Sequence, residues 1–179
     1  MGNFLPDNYV KPVSKSNYFK FEQGENKFRI LSPAITGWLD WTPDKKPLRS
    51  REERAPLQDK RPKHFWAFLV WDYATEQVKV LEITQATIQN SIYELHMDSS
   101  WGDPKGYDIN VKKKGEKLET EYTVVPTPPA PLTDEIKMAY GKLNVTLEKL
   151  YENGDPFEVV EGQNNNAGDV FDEAMEEIK

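Results

Sequence analysis

Hydrophobic positions alternate along most of the first half of the chain and fall into helical spacing in three stretches. His64–Tyr73 reads HFWAFLVWDY, dense in aromatic and β-branched residues, and is the clearest strand. Ala74-Thr75-Glu76 turns the chain, and Gln77–Thr84 alternates as its hairpin partner. Upstream, an extended stretch begins at Tyr18 with Phe19 and Phe21, turns at Gly24-Glu25-Asn26 and continues as Phe28–Leu31. Pro33 interrupts it, and Thr36–Trp41 resumes the strand after a bend. Residues 42–63 read as a long polar loop punctuated by Pro43, Pro47, Pro56 and Pro62. Ile88, Ile92 and Leu95 predict a short helix with Thr84 or Thr87 as its cap, followed by a turn-rich Ser99–Gly106. Tyr107–Lys114 and Leu118–Val125 form a second hairpin about Lys114-Gly115-Glu116. After the break at Thr127–Pro131, Thr133 opens a helix with Ile136, Tyr140, Leu143, Leu147 and Leu150 on one stripe, stopped by Asn153-Gly154.

Five strands with one helix between the third and fourth give the element order of an OB-fold, a small Greek-key barrel that binds oligonucleotides on one face. The expected class is therefore all-β with added helices. An SH3-like barrel or a small sandwich shares most of the pattern but needs no helix there. The expected division is an N-terminal arm over 1–17, an OB-fold domain over 18–131, a C-terminal helix over 132–154 and a disordered acidic tail over 155–179, with Gln163–Asn166 as its linker.

Composition changes this picture in two ways. The 179 residues include no cysteine, which excludes disulfides, thiolate metal sites and cysteine nucleophiles. Aromatics reach 12% although 30% of the residues are charged, and so polar a chain has little need of so many rings for a core alone. The net charge of −7 is unevenly laid out. Residues 1–126 carry 19 basic and 18 acidic groups, whereas residues 127–179 carry 4 and 12. Within Lys45–His64, eight basic residues face three acids. A basic stretch in a nearly neutral body, followed by an acidic tail, suits a polyanionic ligand; a solvated loop with a solubilising tail accounts for it equally well. No apolar run is long enough to span a membrane, and Met1–Tyr9 lacks the features of a signal peptide.

By strand parity, Phe65, Ala67, Leu69 and Trp71 share one face of the aromatic strand, and His64, Trp66, Phe68, Val70 and Asp72 the other. One face must serve the core. The other, with Trp66 and Phe68, is offered to stacked bases, against the alternative that a C-terminal helix or a partner covers it. Trp38 and Trp41 precede Lys45, Lys46, Arg49 and Arg51; Trp101 precedes Lys105 and Tyr107; Lys112 begins a lysine run at the last hairpin. Rings interleaved with cations supply what a single strand needs, stacking and phosphate neutralisation. No phosphate-binding loop, Ser–His–Asp set or carboxylate–metal cluster is found, so no enzyme, metal or cofactor is expected. Asp98, Asp103 and Asp108 recur every five residues among turn formers, which favours turn formation over a hard-cation site. In the tail, Val170, Phe171, Ala174, Met175 and Ile178 would line one helical face among Asp169, Asp172, Glu173, Glu176 and Glu177.

The segments FKFEQGENKFRILSP (19–33), KHFWAFLVWDY (63–73), VKVLEITQATI (78–88), WGDPKGYDI (101–109) and GEKLETEYTVVP (115–126) resemble those of bacteriophage single-stranded DNA-binding proteins with an OB-fold core and an acidic C-terminus. The resemblance spans about 19–150, and WGDPKGYDI is its most specific piece. It implies a sequence-independent protein of phage DNA replication, recombination and repair, acting in the cytoplasm of the infected bacterial host. Such a protein coats single strands, and its acidic tail recruits polymerase or helicase/primase or competes with DNA for the basic face; self-association is a further contact of this kind. By matching motif it implies DNA contacts from Arg29, Lys63, Trp66, Trp101, Lys105 and Tyr107. The chain ends Glu177-Ile178-Lys179 rather than in an aromatic tip, which moves the expected partner contact to Phe171 and Met175. The rival readings are an RNA- or oligosaccharide-binding OB module and a virion assembly protein.

Overall fold

A computed structural model describes residues 4–9 and 16–158. The expected tail contacts at Asp169, Phe171, Asp172, Glu173, Met175, Glu176 and Glu177 lie outside the described residues. The chain folds mostly into antiparallel β-structure: β1 (Gly24–Ile30), β2 (Ile35–Trp41), β3 (Pro47–Ser50), β4 (Lys63–Asp72), β5 (Gln77–Ile83), β6 (Asp108–Lys114) and β7 (Glu121–Pro126). Helix α1 (Ala86–Met97) follows β5, and α2 (Asp134–Gly141) precedes a 3-10 turn at Leu147–Glu152. No helix among the described residues is long and apolar enough to cross a membrane.

The sheet runs β3-β2-β4-β1-β6-β7, with β5 on the other side of β4. Strand β4 is its keel. Ile35–Leu39 of β2 pairs with its first half and Phe28–Ile30 of β1 with its last residues, along one edge, while β5 takes the opposite edge. The expected closed five-stranded barrel is therefore corrected to an open sheet of seven strands. Among the described residues β5 and β7 share no ladder. The N-terminal segment occupies the place where closure would occur. Val80 donates its N–H to the Asn17 carbonyl (2.8 Å) and accepts from the Phe19 N–H (2.8 Å). Phe19 meets Phe28 edge-on, and Phe21 reaches Tyr122 of β7 with ring centres 5.8 Å apart. Residues 17–21 thus belong to the folded body.

From Ala67 onward both faces of β4 are buried, which explains its continuous apolar run, while His64 is exposed and Trp66 partly so. Phe68 and Val70 enter one core with Phe28, Ile30, Leu81, Ile83, Ile88, Ile92, Tyr107, Ile109 and Val111. Phe65, Ala67, Leu69 and Trp71 enter a second core with Ile136, Leu147 and Leu150, so the C-terminal segment covers that face. Thr133 caps α2, its hydroxyl accepting the Ile136 N–H. The expected single helix to Leu150 breaks after Gly141, because β-branched Val145 and Thr146 follow a glycine and the Thr146 N–H goes to the Pro156 carbonyl instead (2.9 Å). Pro156 is fully buried, so the folded body extends past the expected boundary at 155.

The expected long loop contains β3, a short strand with no free choice of position. A side chain on Gly37 of β2 would collide with the Ser50 carbonyl and press within 3.0 Å of the Phe65 ring. Gly37→Ala is expected to destabilise the protein by about 1–3 kcal/mol, the usual cost of overpacking, measured as a lower denaturant midpoint with an unchanged slope. An unchanged midpoint would show that β3 can shift away freely.

Candidate nucleic-acid interface

Paired residues of antiparallel strands point to the same side, so the registers Trp38↔Ser50, Trp38↔His64 and Thr36↔Trp66 place Trp38, His64, Thr36 and Trp66 on one face. Trp38 and His64 touch, with ring centres 5.0 Å apart. His64 is exposed and both indoles are partly so. The hairpin tip beyond Trp38 carries exposed Lys45 and Lys46. Lys45 has φ 62°, and the tip is closed by Thr42, whose backbone N–H bonds the Lys46 carbonyl at 2.9 Å. Thr42 also donates its hydroxyl to Asp44, which holds that carboxyl below its ordinary range. Lys46 lies 3.6 Å from the same carboxylate, both side chains largely in solvent.

In the other direction the strip runs into a groove of about 380 Å³ between α1 and the β1–β2 bend. Ile30, Phe68 and Ile92 form its apolar lining; Trp66, Tyr93 and His96 flank it, and Lys105 stands at its rim. Tyr93 and His96 were not singled out by sequence. They lie one turn apart next to the buried Ile88–Ile92 stripe, and that helical spacing is the signal that could have found them. Gln89 fixes this arrangement: buried in α1, its amide donates to the His64 carbonyl (3.0 Å) and the Ile83 carbonyl (2.8 Å).

The structure divides the expected DNA contacts. Trp38, Trp66, Lys105, Lys45 and Lys46 line or extend the strip and groove. Phe68 and Tyr107 are interior at 2% and 0% exposure, so neither ring offers a free face. Tyr107 packs edge-on against Trp101, and burial, with Asp103 and Asp98 nearby, pushes its phenol up. Trp101 is half-buried against the first core. By register, Trp41, Arg49, Lys63 and Lys112 point to the opposite side of the sheet from Trp66. Arg49 is committed there to Glu82, with contacts of 2.6 and 3.2 Å. Arg51 sits 4.2 Å over the Tyr151 ring.

Arg29 is a correction of its own. Its side chain is 5% exposed and holds three groups from separate parts of the chain. It donates from Nε to the Lys105 carbonyl (2.9 Å) and from Nη2 to the Ala130 carbonyl (2.6 Å), and Nη1 lies 3.5 Å from Asp108. Tyr73 donates its hydroxyl to the same carboxylate (2.7 Å), and burial together with that bond pushes its phenol up. Arg29 therefore fixes the backbone beneath Lys105. Asp98 and Asp103 cap turns, accepting the Ser100 and Lys105 N–H groups, and no three His, Asp or Glu side chains come together as a metal site among the described residues.

No family model matches the chain, and no solved structure does. The chain spans about half the length of a curated relative that it does match, a protein of Escherichia phage T5 named "Probable ssDNA-binding protein", to which it is 25% identical over 144 residues, 62% of this chain and 54% of that protein.

Proposed function

We propose that the chain binds single-stranded DNA without sequence preference and without catalysis, along the line formed by the Lys45–Lys46 tip, the Trp38–His64 pair, Trp66 and the groove rimmed by Lys105. The carrying observation is the shared face of Trp38, His64 and Trp66, contiguous with that groove. From Ala34 to Thr42 the line measures roughly 26 Å at ~3.3 Å per residue, room for a few nucleotides and in keeping with the small site sizes of OB-type binders. The name of the phage T5 relative and the OB-like element order support the same reading. Rings take the bases, and lysines neutralise phosphates.

A role in phage replication, recombination and repair is part of this proposal. So is recruitment of polymerase or helicase/primase through the acidic C-terminal segment, supported by the charge and apolar spacing read in the sequence. Because Pro156 is buried and Lys149 donates to the Glu158 carbonyl (2.9 Å), a truncation that tests the tail should begin after Glu158.

The test of the proposal is a titration of tryptophan fluorescence with oligo(dT) over a range of salt. Three phosphate contacts, at Lys45, Lys46 and Lys105, predict a log–log slope of about −2, since each contact on a single strand contributes ~0.7. Lys105→Ala should flatten the slope by about 0.7. Salt-independent binding, or stronger competition from RNA or an oligosaccharide than from DNA, would overturn the proposal.

A further inference from the structure

We infer that the groove between α1 and the β1–β2 bend seats one unstacked base of the bound strand; this rests on the proposed single-stranded DNA reading. Its volume of about 380 Å³ lies at the small end of ligand sites. Its lining is largely apolar and includes Trp66 and Tyr93. Its polar members are Thr36, His96, Asp103 and Lys105, together with Ser32, whose buried hydroxyl is already bonded to the Pro33 carbonyl and the Leu69 N–H. A nucleotide has the matching layout, a planar apolar ring tethered to an anion.

Two features point to that occupant. The first is continuity, because Thr36 and Trp66 belong both to the ring-bearing strip and to the groove wall, so a strand following the strip arrives at the opening. The second is the way the cation is held. Arg29 and the Asp103 carboxylate fix the Lys105 backbone through its carbonyl and its N–H, while the amine stays 44% exposed and 3.5 Å from Asp103. A phosphate at the rim therefore meets an amine on a rigid base whose present partner is itself largely in solvent. A paired base cannot enter the groove without leaving its stack, whereas a base in a single strand does so at small cost. The groove is thus a source of preference for single strands over duplex, and its few polar groups keep it tolerant of base identity.

The experiment uses the full chain with the groove narrowed at its lip, by Ala34→Leu and separately by Ala34→Met. The Ala34 side chain is exposed, and each variant is first checked for an unaltered thermal transition. Two probes are used, oligo(dT) and an abasic oligomer of equal length. Each variant is expected to lose about 5–10-fold in oligo(dT) affinity and to keep its affinity for the abasic oligomer within about two-fold. Unchanged oligo(dT) affinity, or an equal loss on both probes, overturns the base seat. If the unaltered protein binds neither probe in a salt-dependent way, the proposed function itself fails, and the seat with it. If one variant does not fold, the other decides.

Discussion

Trp66→Ala is expected to weaken oligo(dT) binding by about 5- to 150-fold, the range that follows from ~1–3 kcal/mol per stacked base. Trp66 is the residue on which the strip and the groove converge: it pairs with Thr36, shares a face with Trp38 and His64, and forms a groove wall. Its indole also packs against the first core, so the alanine variant loses some stability as well. Trp66→Phe separates the two effects. It keeps a ring for stacking, and most of the affinity should return. Fluorescence anisotropy with a labelled oligomer at fixed salt reads the first effect, and a denaturant midpoint reads the second. Full affinity in a folded alanine variant would remove Trp66 from the interface.

The second large effect concerns stability. Lys79 and Asp72 form an ion pair at 3.1 Å with both side chains less than a tenth exposed. Asp72 also accepts the Ala74 N–H (3.0 Å) and the Thr75 hydroxyl (2.9 Å), closing the β4–β5 turn. Lys79→Met would leave a buried carboxylate without its counter-charge, at a cost of about 3–5 kcal/mol. For a protein of this size that lowers the melting temperature by about 6–20 °C. Adding Asp72→Asn should recover most of the loss, because the neutral amide oxygen still accepts the turn N–H. A loss below about 1 kcal/mol in the single variant would mean that water reaches the pair.

How far the sequence announced all this depends on whether the signal was local. Strands β4 and β5 and their turn were legible because alternation and turn chemistry lie within one run of consecutive residues, Lys63 to Ile83. The apolar run of β4 also raised cover by a C-terminal element, expected over the Trp66 and Phe68 face; that element lies instead on the Phe65, Ala67, Leu69 and Trp71 face, a choice that parity alone does not settle. Strand β3 escaped because its four residues sit among prolines and charges, and only the close approach of Gly37 to Ser50 makes a strand of them. The stripe from Ile136 to Leu150 has helical spacing, yet its two halves reach the same core as separate turns. Arg29 shows the limit most plainly. Its partners lie 76, 79 and 101 residues away, so nothing near it in the chain distinguishes a strut from a phosphate ligand.

The parallel bridge between Tyr18 and Val80 bears on how copies could gather. An uncovered strand margin is a template on which a neighbouring chain can build. Here residues 17–19 bond to the outer side of β5 at Val80, and that point of the flank is already taken. A second copy that added a strand along β5 would first have to displace these bonds, so sheet growth from that side carries a cost at its middle.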